Sequence, residues 1–319
     1  MDGDGDMDVL SSSQYDNTIT LYENDGGQNF TINVITYTFS GPSSVFASDI
    51  DSDGDLDVLS SSQYDHTIAW FENDGVENFS KHIISISAHG ATSVYASDFN
   101  GDGDMDVLSS SKNNNTIAWY RNDGDEEFTK FVITNTANSA QDVYAADIDG
   151  DGDLDVLSAS EDDDMVVYYE NDGYERFTNH IITNSANGAT SVHASDVDGD
   201  GDMDILSSSR YDNTLAWYEN DGSDAFSENI ISTSAQGASS VYSADMDNDG
   251  DMDVLSASRD DSTFAWYENA GSQNFTTRII SGTSVFASTV YATDINGDGY
   301  MDVLTGSRGD TKIVWHENL

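Results

Sequence analysis

The sequence predicts an all-β protein, a seven-bladed β-propeller, and three observations predict it. A nine-residue acidic stretch, Asp-Ile-Asp-Ser-Asp-Gly-Asp-Leu-Asp at residues 49–57, recurs with minor changes every 49 residues. Its last aspartate marks an unbroken period at Asp8, Asp57, Asp106, Asp155, Asp204, Asp253 and Asp302. Each unit divides into four short runs rich in β-branched and aromatic residues. A period in the forties with several strands per unit is that of a propeller, whose blades bury their faces against one another. Length alone would suggest two domains, but repeats of this kind close into one, so residues 1–319 read as a single propeller domain built from four-stranded repeats.

In the second repeat period the elements follow in order. The run at residues 93–97 keeps a small residue at Ala96, as at Ala47, Ala145, Ala194, Ser243 and Ala292, where seven strands would crowd about an axis; it is expected innermost. The run at residues 58–62 follows the acidic loop. The run at residues 67–71 must be apolar on both sides because neighbouring blades cover both, and Ile68, Ala69, Trp70 and Phe71 meet that need. The Trp70 slot reads Leu21, Trp119, Tyr168, Trp217, Trp266 and Trp315 elsewhere and is expected to pack between blades. The turn Asn73-Asp74-Gly75, repeated from Asn24, Asn122, Asn171 and Asn220, calls for positive φ before the outer run at residues 79–84. One proline in 319 residues fits sheets joined by regular turns.

The chain starts after an innermost strand and stops after a third strand. The first and last blades should therefore be incomplete, with three strands each and exposed seam edges open to self-association. An alternative closes six blades by adding residues 30–35 to the last unit, at the cost of displacing roughly the first 24 residues.

Sixty acidic residues against ten basic ones give a formal charge of −50, which excludes simple electrostatic binding of nucleic acid or of an anionic membrane and makes cations the natural partners. There is no cysteine, hence no disulfide framework. No stretch approaches the ~18 apolar residues of a membrane span, so no membrane insertion is expected. Met1 runs straight into Asp2-Gly3-Asp4, without a signal peptide, and fills a slot held elsewhere by Ile50, Phe99, Ile148, Val197, Met246 and Ile295.

The pattern Asp-x-Asp-x-Asp-Gly-x-x-Asp sets hard oxygen ligands at alternating positions of a tight turn, with a glycine where the chain must bend, and this suits calcium. The candidate ligands are Asp49, Asp51, Asp53, Asp55 and Asp57; Asp98, Asn100, Asp102, Asp104 and Asp106; Asp147, Asp149, Asp151, Asp153 and Asp155; Asp196, Asp198, Asp200, Asp202 and Asp204; Asp245, Asp247, Asp249, Asp251 and Asp253; and Asp294, Asn296, Asp298, Tyr300 and Asp302. Tyr300 would coordinate through its backbone carbonyl. The first loop offers only Asp2, Asp4, Asp6 and Asp8, so six full sites are expected and a seventh, weak or empty, at the N-terminus. An EF-hand is excluded because position twelve of the loop is Ser60, inside a strand.

With this loop set between a Val-Tyr-Ala-Ser strand and an Asp-Val-Leu strand, the whole chain resembles the FG-GAP/VCBS repeat family, which includes propellers like that of the integrin α-subunit and calcium-bearing lectin propellers. The resemblance implies that Asp49, Asp51, Asp53, Asp55 and Asp57, and their counterparts, form calcium shells, and that the protein is extracellular or at the cell surface and serves adhesion or recognition.

The repeats diverge most at the hairpins between second and third runs, which contain Gln14-Tyr15-Asp16, Gln63-Tyr64-Asp65, Arg210-Tyr211-Asp212 and Arg259-Asp260-Asp261. Binding usually resides on such loops, so Tyr15, Tyr64, Tyr211, Arg210, Arg259 and the nearby His89 are the candidate contacts for a glycan or surface protein. Arg308-Gly309-Asp310 spells an integrin-recognition tripeptide, but Arg259-Asp260-Asp261 shows how it arises by drift within a repeat. His193 and His316 replace tyrosines of other units and are expected in the core; His82 and His180 share an outer-strand slot. The reading is a calcium-stabilised, lectin-like binding module and not an enzyme. The alternatives are a polysaccharide hydrolase or lyase, which would need one symmetry-breaking constellation, and a purely structural unit.

Overall fold

The computed structural model describes every residue except Asp224, Ser272 and Leu319. Among the described residues there are strands and no helix, so no helix is long and apolar enough to cross a membrane. The strands form seven sheets that follow the chain order, the all-β, seven-bladed propeller class that the repeat predicts. In the second sheet, Pro42–Ser48, Asp57–Ser62, Thr67–Asn73 and Phe79–Ser85 lie in that order, each antiparallel to the next. Phe46 stands opposite Leu59, Leu59 opposite Trp70 and Trp70 opposite His82, so one row of large side chains crosses the blade.

The terminal sheets have three strands, as expected: Val9–Ser13, Thr18–Asn24 and Phe30–Thr36 in the first, and Ala287–Thr293, Asp302–Ser307 and Lys312–His316 in the last. Phe30–Thr36 pairs with Thr18–Asn24, placing Leu21 opposite Asn33, and this excludes the six-bladed alternative.

The chain groups into two compact units, residues 1–143 with 173–175 and residues 144–172 with 176–319. In the first, Ile50, Leu59, Trp70, Val94, Val107 and Tyr120 share one core cluster. The third strand there is buried on both faces, with Ile68, Ala69, Trp70 and Phe71 each 2% exposed or less. In the second, Ile148, Leu157, Tyr168, Val192, Ile205 and Tyr218 form the corresponding cluster. Inner strands of successive sheets lie side by side. Phe46 meets Tyr95 at 4.8 Å between ring centroids in the first unit, and Tyr144, His193, Tyr242 and Tyr291 form a continuous stack in the second.

Two polar devices join neighbouring blades. A hydroxyl on each inner strand donates to the carbonyl one repeat ahead, as from Ser43 to Ala91 at 2.8 Å and from Thr190 to Ala238 at 2.9 Å. The asparagine ending each third strand reaches back. Asn122 Nδ2 donates to the Ile50 carbonyl at 3.1 Å and to that of Met105 at 3.2 Å, and Asn220 bonds Ile148 and Met203 in the same way. The Asn-Asp-Gly signal is thus not wholly a turn: its asparagine belongs to the strand, and the turn proper begins at the aspartate. Met1 supplies its carbonyl to Asn73 as Ile50 does to Asn122, so it occupies the repeat slot that the alignment gives it.

Candidate metal loops and the divergent face

Between inner and second strands the chain turns through the nine-residue acidic loop. Its sixth residue is glycine at φ between 92 and 100° in every copy, the bend that the sequence anticipates. The fourth residue is also left-handed: glycine in five copies, Ser52 at 61° and Asn248 at 58°. Sequence reasoning missed this position, although its run of glycine and asparagine was the available signal.

The loop carboxylates bond the loop's own backbone. In the second blade Gly54 N–H donates to Asp49 Oδ2 at 3.1 Å, Asp53 N–H to Asp51 Oδ1 at 3.2 Å and Asp55 N–H to Asp53 Oδ1 at 2.9 Å. These bonds gather the acids. Oxygens of Asp49, Asp51 and Asp53 lie within 4.8 Å of one another, as do those of Asp147, Asp149 and Asp155, of Asp196, Asp198 and Asp204, and of Asp245, Asp247 and Asp249. Asp49 Oδ1 and Asp147 Oδ1 are buried without a hydrogen-bond partner. A buried carboxylate oxygen left unpaired beside two further carboxylates fits a bound cation, and an all-oxygen donor set of this kind fits calcium. Burial first, and neighbouring carboxylates second, raise the pKa of Asp51, Asp149 and Asp198.

The remaining predicted ligands divide. At the ninth position both oxygens are engaged. Asp57 Oδ2 accepts from Ile50 N–H at 2.9 Å and Oδ1 from Asn73 N–H at 2.8 Å, a pattern repeated at Asp106, Asp155, Asp204 and Asp253, and at Asp302 with Asn318 in place of the strand-end asparagine. Burial pushes Asp57, Asp106 and Asp155 up to about 7 and Asp204 and Asp253 to about 6. These residues lock the loop to the third strand. The seventh-position acids reach the following turn: a Cβ on Gly75 would lie 2.5 Å from Asp55 Oδ2, and Asp104, Asp202 and Asp251 stand likewise under Gly124, Gly222 and Gly271.

Two loops carry an amide at position three, where Asn100 Nδ2 donates to Asp102 at 2.7 Å and Asn296 Nδ2 to Asp298 at 3.0 Å. In the first loop Asp8 accepts from Asn24 N–H and from the amino terminus, while Asp2 converges with Glu23 and Glu77 rather than with Asp4 and Asp6.

At the other end of each blade lie the divergent hairpins. Tyr15, Tyr64 and Tyr211 are 66%, 55% and 57% exposed. Tyr64 lies against Gly41 and Tyr211 against Gly188, where any side chain would collide with the ring. Tyr211 Oη donates to Glu161 Oε1 at 2.6 Å, and Arg210 pairs with the same carboxylate at 3.4 Å. Several hairpin aspartates face inward and hold the turn. Asp16 accepts from Ser13 at 2.9 Å, and Asp65 and Asp310 accept from Ser62 and Ser307.

His66 and His89, which sequence could not pair, meet with ring centroids 4.8 Å apart. His66 Nδ1 accepts from Gly90 N–H at 3.1 Å, as Asn17 Oδ1 accepts from Gly41 at 2.9 Å, so this histidine stands in for an asparagine at a left-handed turn position. His193 is buried in the inner-strand ring stack, and His82 and His180 bond Glu72 and Glu170, each at 2.7 Å.

The sequence matches the family model of the FG-GAP-like repeat at residues 1–60, 49–109, 98–158, 147–207, 196–256 and 245–305. Among curated proteins none matches. Similar solved structures include the WD40 β-propeller domain of Doa1, at 16% identity over 99% of this chain and 90% of that one with a TM-score of 0.71. A putative 6-phosphogluconolactonase from Bacteroides uniformis is 12% identical over 97% and 91%, with a TM-score of 0.68. An Agrocybe aegerita lectin described as recognising non-reducing terminal N-acetylglucosamine is 14% identical over 88% and 81%, with a TM-score of 0.60. At these identities the likeness is one of fold.

Proposed function

The chain belongs to the FG-GAP-like repeat family, and on that premise we propose that it is a calcium-stabilised recognition module that binds glycans or surface proteins outside the cell. One observation carries the reading: each blade has a uniform acidic end and a divergent end. The uniform end keeps its loop geometry through every copy, which is the behaviour of a part that serves stability. The divergent end lifts Tyr15, Tyr64 and Tyr211 into solvent on short hairpins, where exposed aromatic rings suit the apolar faces of sugars. The lectin of like fold supports the glycan side of the proposal. The module acts by binding rather than by catalysis, because the hairpin acids Asp16, Asp65 and Asp310 are spent on serine hydroxyls of their own turns.

In the metal loops Asp49, Asp51 and Asp53, and their counterparts, would hold the ion, which would neutralise the clustered charge. A broad glycan array probed in millimolar calcium, and again after chelation, tests the proposal. Reproducible glycan binding that falls when the metal is removed is the expected result. A folded, calcium-loaded sample that binds neither glycans nor surface proteins would sink it.

A further inference from the structure

Basic residues are scarce in this chain, yet four of its ten, Lys112, Arg210, Arg259 and Arg308, fall in one position of the 49-residue repeat, the first residue of the divergent hairpin. The last three are consecutive copies. Residues of this slot in adjacent blades are neighbours, since Gln14 donates to Gln63 and Glu161 bonds Arg210. In the second compact unit the slot therefore reads Glu161, Arg210, Arg259, Arg308. Arg210 is paired with Glu161, whereas Arg259 has no ion pair among the described residues and its Nε is buried without a hydrogen-bond partner.

The aromatic partners of this row are arranged for it. Arg210 lies over the Tyr211 ring at 5.8 Å, and Arg259 over the Phe286 ring at 5.3 Å. Phe286 occupies a slot that is glycine at 41, 90, 188 and 237, and it holds φ 55° there, a conformation that a bulky side chain rarely adopts. Its ring lies against Gly309, where a Cβ would meet Phe286 Cδ2 at 2.7 Å. The pair is thus the reverse of Gly188 with Tyr211: the ring is kept, and the strand that supplies it has changed. This gives Gly309 of the Arg308-Gly309-Asp310 tripeptide a packing reason. It also places Arg308 beside the same ring, its N–H bonded to the Phe286 carbonyl at 2.9 Å. Tyr211 and Phe286 remain 57% and 46% exposed.

We propose that this end of the second unit binds an anionic saccharide, with Arg259 as the principal anion contact, Arg210 and Arg308 beside it, and Tyr211 and Phe286 as stacking platforms. The inference deepens the glycan-binding reading and rests on it. A guanidinium stacked on a ring keeps its N–H edge free for bidentate contact with a carboxylate or sulfate. The chain's −50 charge opposes approach of an anion, but it is screened beyond ~8 Å at physiological salt, so the groups in contact decide affinity.

The test is calorimetric titration of the whole chain, in calcium, with four probes: an oligogalacturonate, a sulfated galactan oligosaccharide, a neutral galactan oligosaccharide and an oligoglutamate peptide. The first two distinguish carboxylate from sulfate as the anion. The wild type should bind at least one of them about tenfold or more above the neutral sugar and the peptide. Arg259→Gln should remove that preference, and Arg259→Lys should restore part of it, with circular dichroism unchanged. Equal binding of neutral and anionic sugars, untouched by Arg259→Gln, overturns the anion assignment and leaves glycan binding standing. Equal binding of the peptide overturns the saccharide assignment. Anionic binding that is lost on chelation but indifferent to Arg259→Gln, Arg210→Gln and Arg308→Gln moves the site to the metal loops and overturns it also. No binding of any sugar removes both this inference and the glycan reading.

Discussion

At the scale of single residues the repeats serve as each other's controls. The ring stack of inner strands carries tyrosine at 144, 242 and 291 and histidine at 193. Burial holds the His193 imidazole down to about 4, against an ordinary value of 6.5. A folded-state pKa below the unfolded one means that the native fold prefers the neutral ring, so the stabilisation is complete above the unfolded value and is lost as pH falls toward the folded one. From about pH 7 to about pH 4.5 the wild type should lose roughly 2–3 kcal/mol more than His193→Tyr, whose phenol does not titrate there. Urea titrations of both proteins at the two pH values measure this, and parallel losses would refute it. The substitution was legible as core because its counterparts are aromatic; its stacking partners were not, since ring contacts between strands 49 residues apart leave no local mark. His66 is the harder case. Its role copies Asn17, and only the left-handed backbone it shares with asparagine reveals why.

Among the elements, strand existence and order were legible because apolar runs, glycine turns and a fixed period agree. Strand ends were not. The sequence ended the third strand at Phe71, whereas it runs to Asn73, because the final asparagine has partners in another blade that no local pattern encodes. The metal loop was legible as a cluster of acids but not in its division of labour: ninth-position aspartates carry alternating spacing like true ligands, yet spend both oxygens on backbone N–H groups. The strand-end asparagine can be tested directly. Asn122→Ala would leave the carbonyls of Ile50 and Met105 without their amide donor in a buried setting. Two such losses should cost about 2–4 kcal/mol, read as a lower urea midpoint with unchanged slope. A loss under about 0.5 kcal/mol would mean that water replaces the amide.

At the scale of the whole molecule, acid clusters repeated along the chain make the sign of its pH dependence a reporter of metal. Without metal, burial and neighbouring carboxylates raise Asp57, Asp106 and Asp155 to about 7 and Asp204 and Asp253 to about 6, from 3.8. A raised folded pKa for an acid means that the native state holds more protons than the unfolded chain, so stability is greatest at low pH and falls as pH rises from the unfolded value through the folded one. Binding of calcium reverses the slope, because the ligands must be ionised and the ion stabilises only the folded loops. Melting temperature measured from about pH 5 to about pH 8 should therefore fall in chelator and rise, or hold level, in millimolar calcium, with the gap widest at the alkaline end. High monovalent salt should narrow that gap without closing it, since screening weakens repulsion among surface acids but does not supply the missing partner of Asp49 Oδ1 or Asp147 Oδ1. Curves that coincide with and without calcium across the range would show that these loops hold their carboxylates by backbone bonds alone.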